Sequence, residues 1–213
     1  MKAMYRPLLL LAPLALLATG CSSIGYGDPG RTETLTIDYG STDLQTLAGG
    51  MVDSLISAPA LAYLDNPGKG DDKRIIVYMG GVENRTSEHI DTGGITDKMQ
   101  VQLLKSGRFR FVAADAGQAE IGDQVRFQQS SGRVREEMAR SFGKQLGADV
   151  VVYGTLRSID KKKGASLESG GVRKQDKYYQ FVLKCANIDT GELIWLEEEE
   201  LRKTGRTGIF GRG

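Results

Sequence analysis

From Leu44 onward, apolar residues recur at helical spacing through Leu47, Met51, Val52, Leu55 and Ile56, the signature of one buried helix face. Ser41 or Thr42 stands where a cap is needed and Pro59 where the helix must stop, while Gly49 and Gly50 weaken it enough that packing has to support it. Residues 65–72 form a polar turn, and Arg74 to Met79 reads as a continuous apolar strand buried on both faces. Ile95, Met99 and Leu103 make one stripe of a helix ending at Ser106, with Gly107 in the position of a left-handed cap. Phe109 to Val112 is a short strand, and Asp115 caps a weak helix to about Gln128. Val134, Met138, Phe142 and Leu146 predict a helix over 134–146, closed by Gly147.

Val150 to Ile159 follows as a strand, and residues 160–177, rich in Lys, Gly and Ser, read as an exposed loop. Over Tyr178 to Ile188 the pattern changes to strict alternation, with Tyr179, Phe181, Leu183 and Cys185 on one face and Gln180 and Lys184 on the other. Asp189-Thr190-Gly191 turns the chain into a last strand, Glu192 to Glu198. Helices on the first crossovers make the early strands parallel, and the closing hairpin is antiparallel. The expected fold is a single α/β domain, a mixed sheet of about five strands packed by helices, over residues 42–198. A loose charged tail covers 199–213.

The amino terminus changes the picture. Lys2 and Arg6 precede the apolar run Leu8 to Leu17, and Ala18-Thr19-Gly20 supplies small residues before Cys21. This is a secretory signal over residues 1–20, too short for a bilayer span of roughly 20 apolar residues. A cysteine directly after the small residues fits lipoprotein processing, with Cys21 acylated by palmitate-type chains; ordinary cleavage after Gly20 is the alternative. Ser22 after the anchor favours the outer membrane, facing the periplasm. The Gly-, Ser- and Thr-rich stretch from Cys21 to residue 41 reads as a flexible tether; its 17 residues to Asp38 span at most ~60 Å. Loss of Lys2 and Arg6 leaves 26 basic against 27 acidic residues, a balance that gives nucleic acid no attraction. With Cys21 acylated, Cys185 has no partner in the chain and reads as an inert core thiol.

Several strings imitate active sites and fail on context. Asp-Thr-Gly occurs at 91–93 and 189–191, but the first precedes a helix and the second is a turn, not the facing loops of acid proteases. Ser141 to Lys144 and Lys203 to Gly205 match two of the three motifs of penicillin-recognising serine enzymes, without the third. The G-x-G-x-x-G at 25–30 has neither strand nor helix beside it. His89, the single histidine, has no acid placed to orient it, and no metal-ligand spacing occurs. The lysine run 161–163 reads as a solvated loop. Neither cofactor, metal nor small-molecule substrate is implied.

Four short stretches carry a family likeness in order: Val82-Glu83-Asn84-Arg85-Thr86, Gly107-Arg108-Phe109, Gly147-Ala148-Asp149 and Thr190-Gly191-Glu192-Leu193-Ile194-Trp195. Together with the cysteine box they resemble the outer-membrane lipoproteins that activate bifunctional penicillin-binding proteins, the class B lipoprotein activators, over roughly residues 42–198. The resemblance implies a fold similar to the amino-terminal domain of the translocation protein TolB. It also implies a non-enzymatic role, docking on a wall synthase and stimulating glycan polymerisation and crosslinking. Asn84, Arg85 and Thr86 match the family's motif and become the candidate partner-binding residues; bonding of Asn84 and Thr86 within their own loop, with Arg85 paired to a buried acid, is the structural alternative. The short, proline-poor tether departs from the long Pro-rich one of that family. A second function class stays open, an assembly lipoprotein of the outer membrane that binds another envelope protein.

Overall fold

The helical spacing from Leu44 produces α1, Ser41–Ser57, whose Leu47, Met51 and Leu55 are essentially without solvent contact. Complete burial of such side chains stabilises by about 1.5–3 kcal/mol each, enough to offset the two mid-helix glycines. The cap is not the expected hydroxyl. Gly40 occupies the cap position and its N–H donates to Asp43 Oδ2 at 2.8 Å, while Thr42 Oγ1 accepts from the Glu33 N–H at 2.7 Å. After Ala58, Pro59 opens a short 3-10 helix to Tyr63. The computed structural model describes residues 25–207 except 26, 34, 65–69, 142–144 and 165–170.

The remaining elements are β1 (Ile75–Arg85), α2 (Gly93–Lys105), β2 (Phe109–Phe111), α3 (Asp115–Ser130), β3 (Val150–Lys163), β4 (Arg173–Asn187) and β5 (Leu193–Thr207). They build one mixed sheet in the order β2-β1-β3-β4-β5. β1 runs parallel to β2 and β3, and β3, β4 and β5 are antiparallel neighbours, as the crossovers required. The molecule is the expected α/β domain. α1 and α2 cover one face, where Ile95, Met99 and Leu103 meet Val152, Leu156, Phe181 and Leu183 in a single core. Gly107 ends α2 at φ +71°, a conformation that costs glycine nothing.

Five expectations are corrected. Among the described residues of 134–146 no α-helix forms: a 3-10 turn covers only Glu136–Met138, and Gly147 has no positive φ. A helix stripe stabilises only when a surface receives it. Here Met138 and Leu146 lie exposed, Phe142 is outside the described residues, and the backbone of Arg140 instead bonds the side chains of Gln128 and Gln129. α3 forms where expected, but Ala114 and not Asp115 holds its cap position.

The loop expected over 160–177 is strand at both ends, over 160–163 and 173–177, because Lys161 faces Asp176 and Asp160 faces Lys177 across the β3–β4 ladder, pairing opposite charges; residues 165–170 lie outside the described part. That extension gives β5 a partner as far as Arg173↔Thr207, so residues 199–207 are not a loose tail, and the domain passes residue 198. Residues 208–213 lie outside the described part. Finally, the tether does not run free to residue 41: Asp38 and Tyr39 are bound to the domain.

Candidate partner-binding site

The Asn84-Arg85-Thr86 stretch closes β1 and begins the turn to α2. Register with β3 sets Asn84 opposite Leu156 and Arg85 opposite Arg157, so Asn84 leans toward the helix-covered face and Arg85 away from it. Asn84 Nδ2 donates to Glu88 O at 2.9 Å and Ile90 O at 3.3 Å, and its Oδ1 accepts the Thr86 N–H at 2.9 Å. The Thr86 hydroxyl accepts the Glu88 N–H at 3.1 Å. These bonds fix residues 84–90 as a rigid turn built on short side chains that reach local backbone. Arg85 stays half exposed and pairs with Glu83 at 2.7 Å. That partner is a surface acid, not the buried one envisaged. The Arg85 hydrogen bond, helped by the charges of Arg85 and Arg157, holds the Glu83 carboxyl below the ordinary range.

Behind the turn lies a network assembled from distant parts of the chain. Glu88 receives bonds from the Tyr39 N–H at 2.9 Å, Lys177 Nζ at 2.7 Å and the Tyr179 hydroxyl. Lys177 Nζ also meets Asp38 at 2.6 Å and Asp160 at 3.6 Å. Nearby, Lys203 Nζ joins Asp43 Oδ2 at 2.8 Å and Asp38 O at 2.6 Å. Tyr39 stands edge-on to Tyr179 at 5.9 Å. Burial pushes the Glu88 carboxyl up, but the bonds from Lys177, Tyr179 and Tyr39 outweigh it and leave it below its usual range. Burial likewise disfavours charge on Lys177, and the bonds it donates to Asp38 and Glu88, with their charges, reverse that and raise it. The signal available was parity: Lys177 stands two residues before Tyr179 on the alternating face.

Cys21, the expected lipidation residue, is outside the described part. Cys185 is free and fully buried with Tyr179, Phe181 and Leu183, and burial pushes its thiol up to about 12. Since thiolate is the nucleophile, native protein should resist a thiol reagent at neutral pH that labels Cys185 readily in denaturant; fast native labelling would overturn this register. His89 is exposed. The Asp91 carboxylate accepts the Gly93 N–H at α2, and Asn187 Oδ1 accepts from Asp189 and Thr190 in the β4–β5 turn, so both Asp-Thr-Gly copies make local turn bonds. Among the described residues, no three His, Cys, Asp or Glu gather to hold a metal, and no helix is long and apolar enough to cross a membrane.

Fold and turn define an α/β domain that presents a rigid polar corner at the carboxyl end of a central strand. The family model for the peptidoglycan-synthase activator LpoB matches residues 43–201. The chain belongs to that family, and so stands among the peptidoglycan-synthase activators. Solved structures similar to it include the LpoB C-terminal domain from Salmonella enterica, at 14% identity and TM-score 0.42, covering 75% of this chain and 98% of that one. The Escherichia coli LpoB NMR structure matches at 15% and 0.38, covering 96% and 91%. The lipoprotein GNA1162 from Neisseria meningitidis matches at 12% and 0.35, covering 62% and 83%. No curated protein matches the chain in sequence.

Proposed function

We propose that this chain is a non-enzymatic lipoprotein that docks on a bifunctional penicillin-binding protein and stimulates its glycan polymerisation and crosslinking. The observation that carries the reading is the family match, which spans the domain from α1 into β5. The docking corner is Asn84-Arg85-Thr86. Its rigidity supports this role, because an ordered surface loses little entropy on binding, and Arg85 offers the exposed fork that interfaces favour. Cys21 carries the acyl chains and holds the protein in the outer membrane, facing the periplasm. With the Pro29 carbonyl accepting from Gln45 of α1 at 2.7 Å and Glu33 bound to Thr42, about 8 residues separate the anchor from the domain, a reach of roughly 28 Å when taut. The synthase must therefore come to the domain.

The test is polymerisation from lipid-linked precursor by the cognate synthase, with and without this chain. A rate increase is expected, and Arg85→Ala should lose it while keeping the native circular dichroism. Unchanged synthesis with every bifunctional synthase of the organism, together with no binding, would falsify the proposal. Separately, Cys21→Ala should abolish palmitate labelling and release the protein from membranes; persistent labelling would exclude Cys21 as the acylated residue.

A further inference from the structure

We propose that the free edge of β5 pairs with the same edge of a second copy, antiparallel about a two-fold axis at Leu201, giving one ten-stranded sheet. β5 spans 15 residues, Leu193–Thr207, against a usual strand length of about 5–6. It bonds β4 on one side, and among the described residues no backbone group bonds its other side. A long open edge is a template for a further strand, and proteins that keep such an edge unpaired guard it with charge.

The charges on β5 are not arranged as a guard. They fall into two blocks of opposite sign, Glu197 to Glu200 before Leu201 and Arg202, Lys203 and Arg206 after it. A two-fold axis at Leu201 opposes each Glu200 to the other copy's Arg202, and each Glu199 to its Lys203. The side-chain alternation keeps each pair on one face: Glu200 and Arg202 on the open face, Glu199 and Lys203 toward the helices. Moving the axis one residue either way opposes Glu200 or Arg202 to itself. Opposite charges directly across an antiparallel pair favour that register and like charges disfavour it. The self-complementary pattern is what an isologous contact requires.

The axis is normal to the sheet, so the helix-covered faces of both copies lie on the same side. Asp38, bonded to the inward-facing Lys177, therefore leaves on that side in both. The Asn84 turn is on β1, separated from β5 by two strands, and remains open in the pair. Dimerisation is thus independent of synthase docking and fails or survives separately from it.

The experiment measures the mass of the full chain in detergent by sedimentation equilibrium. A dimer is expected that weakens with salt. Arg202→Glu or Glu200→Arg alone should raise the dimer dissociation constant at least tenfold, and the double variant Glu200→Arg/Arg202→Glu should restore it, because the swap rebuilds the opposite pairs. Mild oxidation of Leu201→Cys should give a covalent dimer above the wild-type background, since facing Cα atoms lie about 4.5–5.5 Å apart, within disulfide reach. Thr204→Cys should not, its two copies being six residues apart along the ladder. Monomeric wild-type mass at all concentrations, equal crosslinking at both positions, or single and swapped variants that behave alike would each overturn the proposal.

Discussion

Lys177→Met should lower the stability of the domain by about 2–3 kcal/mol at neutral pH, roughly 5–10 °C in Tm for a domain of this size. The side chain is 8% exposed and sits between Asp38, Glu88 and Asp160. Methionine keeps the volume but removes the cation, leaving the Glu88 carboxylate part-buried with one partner fewer. An unpaired buried charge costs more than the pair contributed. Asp38, being half exposed, loses little.

The pH dependence follows from the directions of shift. The Glu88 carboxyl is depressed in the fold, so its contribution is present above the unfolded value of about 4.3 and is lost as pH falls through the folded one. Lys177 is raised, so its contribution is present below about 10.4 and is lost as pH rises through the folded value. The gap between wild type and Lys177→Met should be widest between those limits and close as pH falls through the depressed Glu88 value, below the ordinary carboxylate range. A double-mutant cycle with Glu88→Gln should show coupling of about 1 kcal/mol or more. Additive losses, or a gap that ignores pH, would mean that Lys177 acts only by packing.

That network also marks where the sequence stops being legible. The stripe of Ile95, Met99 and Leu103 and the alternation of Tyr179 to Cys185 are local periods, and both elements are found where the pattern sets them. Val134 to Leu146 had an equally regular stripe, yet whether a stripe becomes a helix depends on a receiving surface elsewhere in the fold. The polar ends of β3, β4 and β5 depart from the sequence pattern for the converse reason. Lys161 or Lys203 carries no strand signal of its own, and a neighbouring strand's backbone decides the matter. Lys177 meets partners 139 and 89 residues away in sequence, a juxtaposition that only the completed topology creates. Asn84 and Thr86 bond within six residues, so short polar side chains after a strand were enough to make their turn readable as one possibility.

Gly154→Ala should be more damaging than most single-methyl changes, costing about 3 kcal/mol or more and reducing folded yield. Gly154 lies on the helix-covered face of β3 between Val152 and Leu156, both without solvent exposure. A methyl group there would stand 2.2 Å from the Val182 carbonyl oxygen and 2.5 Å from a Leu183 methyl, with Leu183 Cα at 3.2 Å. The Leu183 side chain could turn aside; the β4 backbone cannot without opening the ladder that pairs Gly154 with Leu183. On its other side Gly154 faces Val82 of β1, immediately after the register shift between Met79 and Val82. The sheet thus bends where β1 bulges, and glycine on β3 lets the β4 backbone approach closely enough to follow. Gly81 provides the control. It lies in the same bulge, and an added Cβ meets nothing within 4 Å, so Gly81→Ala should stay within about 1 kcal/mol of wild type. Chemical denaturation of both variants decides the point: equal stabilities would show that β3 and β4 do not make the close approach at Gly154.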